Sequence, residues 1–352
     1  MTTRRHFITG SAAAVAASVT AGTPLGALAQ GARPEISSLT LGFGIDPPFA
    51  PHIVAMQKGW FREAGFSDVK TRTFQSGNLA GEALVAGEIH LWTPGNLPPI
   101  SMAHNGIPVV VVGTASVNWD VEKLTVRKDA NVNTPEDLYK IKIGLFQGST
   151  SSAFLSVLAK HYGLDERRLQ VVNLPPPEQL ASLVSNNVQA LLCWEPWPNR
   201  ALATGNARVV HSGLTSYFSG NSGQRVKVSD GRSVLVVSQE FARRSPNALR
   251  AAMGAMLRAQ RYVANPANTD EVQRMFAEFQ KQDLELVRAI WSNYVFNPVF
   301  DDQYVADMER TAAYLEASGR IKKRMNVLDY TYTDPLAGLD KSLVKVEGRW
   351  KA

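Results

Sequence analysis

Short apolar runs alternate with stretches of helical periodicity through the first two thirds of the chain. Leu39 to Gly44 precedes a helical pattern at Ile53 to Ala64, Val69 to Phe74 precedes one at Leu79 to Ala86, and Ile89 to Trp92 precedes one at Leu97 to His104. Val109 to Gly113 closes that series. Strand followed by helix, repeated, predicts a parallel sheet with covering helices. The same order restarts with strands at Ile141 to Phe146, Leu169 to Leu174 and Val188 to Trp194, separated by helices at Ser151 to Tyr162 and Glu178 to Ser185. Two separate α/β sheets are therefore expected, in keeping with a length of 352 residues, at which a single core usually divides.

Residues 213–232 are rich in Gly, Ser and polar side chains, and Ser233 to Ser238 reads as a buried strand suited to a crossing between the two halves. Pro246 then opens a helix carrying Leu249, Met253, Met256 and Leu257 on one face. Further helices are expected at Glu271 to Phe279, Leu284 to Trp291 and Tyr304 to Ala317, with Gly319 as a stop. From Tyr330 the chain loses periodicity and reads as a tail packed over one lobe.

The amino end changes the picture of where the chain works. Met1 to Arg5 is basic, Phe7 to Leu28 is apolar and rich in small residues, and Ala27-Leu28-Ala29 offers a cleavage site, the plan of a secretory signal. Arg4-Arg5 resembles the twin-arginine export address. Residues 1–29 are accordingly excluded from the folded part, and a periplasmic product is expected. Losing the two arginines lowers the net charge from +6 to about +4. No basic run is interleaved with aromatics, so nothing points to nucleic acid.

Cys193 is the one cysteine, too few for an internal disulfide, and its apolar surroundings from Val188 to Trp194 suit a buried side chain. His52 and His90 have no matched acids or thiols, so no metal is expected; there is no P-loop and no G-x-G-x-x-G, and no cofactor is expected.

In open α/β sheets ligands bind beyond the carboxyl ends of strands, which singles out the loops that leave them. The first, Ile45 to His52, is stiffened by three prolines and brings Asp46 and Phe49 ahead of a helix. The second, Gln75-Ser76-Gly77-Asn78, and the third, Phe146 to Ser152 with Gly148, Ser149 and Thr150, place backbone N–H groups and hydroxyls at helix starts. Two such starts facing one another would suit a sulfonate, carboxylate, nitrate or phosphate, although Ser and Thr also cap helices that bind nothing. Trp194-Glu195-Pro196-Trp197-Pro198 and Trp92-Thr93-Pro94-Gly95-Asn96 stand at corresponding strand ends. Trp194, Glu195, Pro94 and Asn96 are candidate contacts there, with Trp197 assigned to packing.

Ala55-Met56-Gln57-Lys58-Gly59-Trp60-Phe61 with Ala64-Gly65, then Gly148-Ser149-Thr150, then Trp194-Glu195-Pro196, in that order after an export signal, resemble the periplasmic substrate-binding proteins for nitrate, sulfonates and taurine. The resemblance runs from about Leu39 to Ala317. It implies an α/β, two-lobed type II periplasmic-binding-protein fold with two hinge crossovers, near Leu124 to Arg127 and Ser233 to Val237. One lobe would comprise residues 36–125 and 235–340, the other 126–232, with 341–352 as a tail. It also implies a monomer that traps a small anionic ligand, a sulfonate in the first instance, and hands it to the permease of an ABC importer in the inner membrane. By carry-over, Gly148, Ser149 and Thr150 become anion contacts, Gly77 and Asn78 the opposing wall, and Trp194 and Glu195 the cover and polar edge. His90 and Gln189 replace an acid that the family often carries, a departure that bears on the ligand more than on the fold.

Two other functions follow from the same resemblance. A related sulfinate desulfinase places a cysteine in the first strand-to-helix loop, whereas Ile45 to His52 has none. A binding protein therefore ranks above an enzyme. A tryptophan-lined cleft would also suit a flat ring such as a thiamin pyrimidine precursor.

Overall fold

The computed structural model describes residues 33–74 and 77–352. No helix among them is long and apolar enough to cross a membrane. The export segment, residues 1–29, lies outside the described residues, as do Gln75 and Ser76.

Strand β1 (Ser38–Phe43) leads through a 3₁₀ turn at Pro47–Phe49 into α1 (Ala50–Gln57) and α2 (Trp60–Glu63). One helix was expected over that span. The break falls at Gly59, whose φ of 73° is left-handed backbone that glycine adopts freely. Strand β2 (Asp68–Thr73), α3 (Gly77–Val85), β3 (Leu91–Trp92), α4 (Leu97–His104) and β4 (Val109–Val117) complete the first series. The second comprises β5 (Glu122–Arg127), β6 (Lys142–Leu145), α5 (Thr150–His161), β7 (Gln170–Asn173), α6 (Pro176–Val184), β8 (Ala190–Trp194), α7 (Trp197–Ala203) and β9 (Ala207–Ser212). The chain returns with β10 (Arg232–Ser238), α8 (Gln239–Arg244), α9 (Pro246–Ala264), α10 (Thr269–Gln280), α11 (Leu284–Trp291), β11 (Val295–Phe296), α12 (Asp302–Ala317) and α13 (Asp334–Ala337).

These strands form two sheets, in the orders β11-β4-β10-β3-β1-β2 and β7-β6-β8-β5-β9. Neither is wholly parallel. In the first, β10 pairs antiparallel with β3 and β4, and β11 with β4; in the second, β5 pairs antiparallel with β8 and β9. The parallel ladders join β1 to β2 and β3, and β6 to β7 and β8. The strand-helix alternation thus describes only part of each sheet. Leu124 to Arg127 and Ser233 to Val237, expected at the crossings, lie within β5 and β10.

Side-chain alternation explains why both sheets carry helices on both faces. Val110 and Val112 of β4 and Leu235 and Val237 of β10 point to a core shared with α1, α9 and α10. Val109, Val111, Val234 and Val236, one residue out of phase, enter a second core with α4 and α12. Each such aliphatic side chain contributes about 1.5–3 kcal/mol on burial. The second sheet repeats the rule, with Leu124, Val126, Ala190 and Leu192 on one face and Leu191 and Cys193 on the other.

Two links join the sheets and lie against one another. Asn118 donates its backbone N–H to Gly231 O at 2.8 Å, and Leu214 N–H reaches Asp120 Oδ1 at 3.0 Å. The backbones are so close that a Cβ on Gly213 would stand 1.7 Å from Trp119 O. Beside them Arg232, on the returning strand, donates from Nε and Nη2 to Asp307 Oδ2 of α12, with both side chains fully buried. The final residues are bound to the first sheet: Tyr332 donates N–H to Val111 O at 2.8 Å, and Val344 bridges Phe300.

Candidate ligand-binding site

Loops leaving β1, β3 and β8 converge on one cleft of about 460 Å³, lined among others by Ile45, Asp46, Phe49, Phe74, Trp92, Pro94, Pro177, Trp194 and Trp197. It continues into a recess of about 80 Å³ lined by Asn118, Glu122, Ser149, Thr150, Arg232 and Ser233, with Asp46, Gly77, Gly95 and Trp194 common to both. The chamber is aromatic and the recess polar.

The β1 loop is held from behind. Gln280 Nε2 donates to Gly44 O at 3.0 Å and Gln282 Nε2 to Ile45 O at 2.5 Å. Phe49 stacks on Phe43 with ring centroids 5.3 Å apart, and His52 packs edge-on against Phe43. His52 is fully buried; desolvation pushes its pKa down to about 3, so it is neutral when it meets Thr93 Oγ1 at 3.0 Å through Nε2. Asp46 precedes the 3₁₀ turn but its carboxyl makes no capping hydrogen bond there. Desolvation, and secondarily the nearby Glu122 carboxylate, raises Asp46 to about 7. Glu122, 1% exposed on β5, accepts from Ser229 Oγ at 2.9 Å. Burial raises its pKa, against the opposing pull of the Thr150 and Ser229 hydroxyls.

The start of α5 reaches the recess through Ser149 and Thr150. Ser149 does not cap: its Oγ donates to Phe146 O at 2.7 Å. Gly148, at φ 83°, gives its N–H to Ser152 Oγ at 3.3 Å. Across the cleft, a Cβ on Gly95 would lie 3.2 Å from Thr150 Cγ2; within the first wall, one on Gly77 would lie 3.2 Å from Pro98 Cγ and 3.6 Å from Trp92 Cζ2. Bare backbone at Gly95 lets the opposing walls meet, and at Gly77 it lets α3 pack closely on Pro98 and Trp92.

Of the residues singled out in the sequence, Asp46, Phe49, Gly77, Pro94, Ser149, Thr150 and Trp194 border the cleft or recess. Asn78 is in the first turn of α3. Gln75 falls outside the described residues. Three others are not in the lining. Asn96 is buried with its Nδ2 on Asp230 O and Thr311 Oγ1, Gly148 spends its N–H within its own turn, and Glu195 turns inward to Lys123 Nζ and Asn199. Trp197, assigned to packing, lines the chamber instead. Glu122, Arg232, Asn118 and Ser233 were not singled out; an acid and an arginine at the ends of apolar strand segments were the available signals.

Cys193 is fully buried in β8, away from the lining, and desolvation pushes its thiol well up. Among the described residues, no group of three His, Cys, Asp or Glu is placed to hold a metal ion.

Comparison with known proteins agrees with this geometry. The taurine-binding periplasmic protein of Escherichia coli (strain K12) is 29% identical over 217 residues, 61% of this chain and 64% of that protein, so the match spans just under two thirds of the relative. The alkanesulfonate-binding protein SsuA from Xanthomonas axonopodis pv. citri, bound to MOPS, superposes with a TM-score of 0.70 at 20% identity, over 85% of this chain and 99% of that one. The desulfurization enzyme DSZB shares the fold too, with a TM-score of 0.63 at 16% identity over 87% of this chain and 99% of the enzyme. The architecture is the two-lobed α/β fold of periplasmic binding proteins. The profile of the NMT1-like family matches residues 32–277, and the chain belongs to that family.

Proposed function

We propose that the chain is the solute-binding component of an ABC importer, exported through residues 1–29 and loaded in the periplasm with a small organic anion, a sulfonate before others. The observation that carries this reading is the continuity of the cleft. A polar recess that includes the start of a 12-residue helix opens into a chamber walled by Phe49, Phe74, Trp92, Trp194 and Trp197. A helix start favours a compact anionic head, and aromatic walls favour an organic tail. The taurine-binding and alkanesulfonate-binding relatives support the same class.

A flat, amino-bearing ring is the second reading, favoured by the pairing of tryptophan faces with the Asp46 and Glu122 carboxyl groups in one cleft. Transport ranks above catalysis because the lone thiol, Cys193, is buried with its protonated form favoured, whereas a nucleophilic thiol needs access and a lowered pKa. Thermal melting of the purified chain against sulfonates, taurine, nitrate, carboxylates and pyrimidines tests the assignment. Sulfonates are expected to raise the melting temperature in a concentration-dependent way; stabilisation by uncharged rings alone would sink the anion reading.

A further inference from the structure

We infer that Asp46 and Glu122 together form a receptor for an amino or amidinium group, so that the ligand is a zwitterion or an amino-substituted ring and not a bare anion. This deepens the reading of the cleft as the ligand site and rests on it.

The two acids come from opposite sides. Asp46 is carried by the loop after β1 of the first sheet and Glu122 by β5 of the second, and both border the recess. Among the described residues neither has an ion-pair partner. Of the basic groups nearby, Lys123 directs Nζ at Glu195, and Arg232, itself in the recess lining, is paired with Asp307 through Nε and Nη2 and leaves Nη1 without a partner. The other titratable groups acting on this region are Cys193, Glu195 and Tyr294, which are buried and bring no positive charge. Carboxyl groups that are buried, as Glu122 is, or half-buried, as Asp46 is, are costly to ionise without an ion pair of their own, and the upward shifts of both express that cost. A ligand cation entering the recess would relieve it.

The surroundings fit such a group. A recess of about 80 Å³ is the right scale for an ammonium or amidinium head, and Trp194 borders both this recess and the larger chamber. An indole face there would stabilise a cation as well as cover a ring. Ser149, Thr150 and Ser233 line the same space.

The experiment is titration calorimetry on the full chain at pH 8, above the value of about 7 to which Asp46 is raised, using pairs that differ in the amine. Taurine is compared with isethionate, and 4-amino-2-methylpyrimidine with 4-hydroxy-2-methylpyrimidine. The amine-bearing member of whichever pair binds should be at least about tenfold tighter, and Asp46→Asn or Glu122→Gln should shrink that gap to about threefold or less. Both substitutions keep side-chain shape, and thermal melts of the free variants check that they fold. Equal binding of taurine and isethionate would overturn the inference while leaving the sulfonate reading intact. Amine-selective binding of the pyrimidine with no sulfonate binding would do the reverse. Failure of all four compounds to bind at millimolar concentration would also overturn the inference.

Discussion

Glu195 is fully buried and accepts a hydrogen bond from Lys123 Nζ at 2.5 Å, so the acid that follows Trp194 braces β8 against β5 instead of facing ligand. Asn199 adds its backbone N–H and its Nδ2 to the same carboxylate. Removing one member of a buried pair strands the other charge. Glu195→Leu should therefore lower unfolding free energy by about 3 kcal/mol in urea titrations, and Lys123→Met added to it should restore much of the loss. A single variant as stable as the parent would show that the pair contributes nothing.

Closure of the cleft depends on how near Gly95 stands to Thr150. A Cβ there would meet Thr150 Cγ2 at 3.2 Å, and a branched side chain would force the walls apart. Gly95→Val is expected to weaken ligand binding by about tenfold or more while shifting the melting temperature of the free chain little. A loss of stability equal to the loss of affinity would place the effect in folding instead.

Gly213 is more tightly constrained. Its Cβ would lie 1.7 Å from Trp119 O, a backbone atom that cannot turn aside. Gly213→Ala should destabilise the chain by about 1–3 kcal/mol through displacement of the links between the sheets. Small-angle scattering of the variant with and without ligand should also show a smaller change in dimension than the parent gives.

The acid and histidine groups oppose each other in their effect on pH stability. Asp46 titrates near 7 in the fold against about 3.9 in an unfolded chain, so the native state retains a proton that the unfolded state has lost between those values. Its contribution is most favourable below about pH 4 and declines as pH rises to 7. His52 and His211, pushed down to about 3 and about 4, act the other way: their contribution is present above about pH 6.5 and is lost as pH falls toward the folded values. Relative to the parent, Asp46→Asn should be near neutral at pH 4 and stabilising at pH 8 in ligand-free denaturation, and His52→Gln should lose less stability than the parent between pH 6.5 and 4. An Asp46→Asn difference that does not grow with pH would remove Asp46 as a titrating group.

Regular periodicity made much of the fold legible. The helices at Leu97–His104, Thr150–His161 and Leu284–Trp291 coincide with the expected spans to within a residue, because the apolar spacing of 3.6 is uninterrupted there. The antiparallel members were hidden for different reasons. Glu122–Arg127 and Ala207–Ser212 mix charged and apolar residues, and Val295–Phe296 is two residues long. Their place depends on partners distant in sequence. The site shows the same division. Phe49, Thr150 and Trp194 follow strand ends and could be read from that position, whereas Glu122 and Arg232 reach the recess only because β5 and β10 run antiparallel to their neighbours.

The order in which the strands appear has a consequence for the growing chain. All five strands of the second sheet lie between Glu122 and Ser212, so that sheet has its full complement once Ser212 has been made. In the first sheet β4, with eight buried positions in nine, is flanked by β10 and β11, which arrive only at Arg232–Ser238 and Val295–Phe296. Until then a nascent or truncated polypeptide presents both edges of its longest strand without neighbours, the condition under which unfinished chains associate with one another.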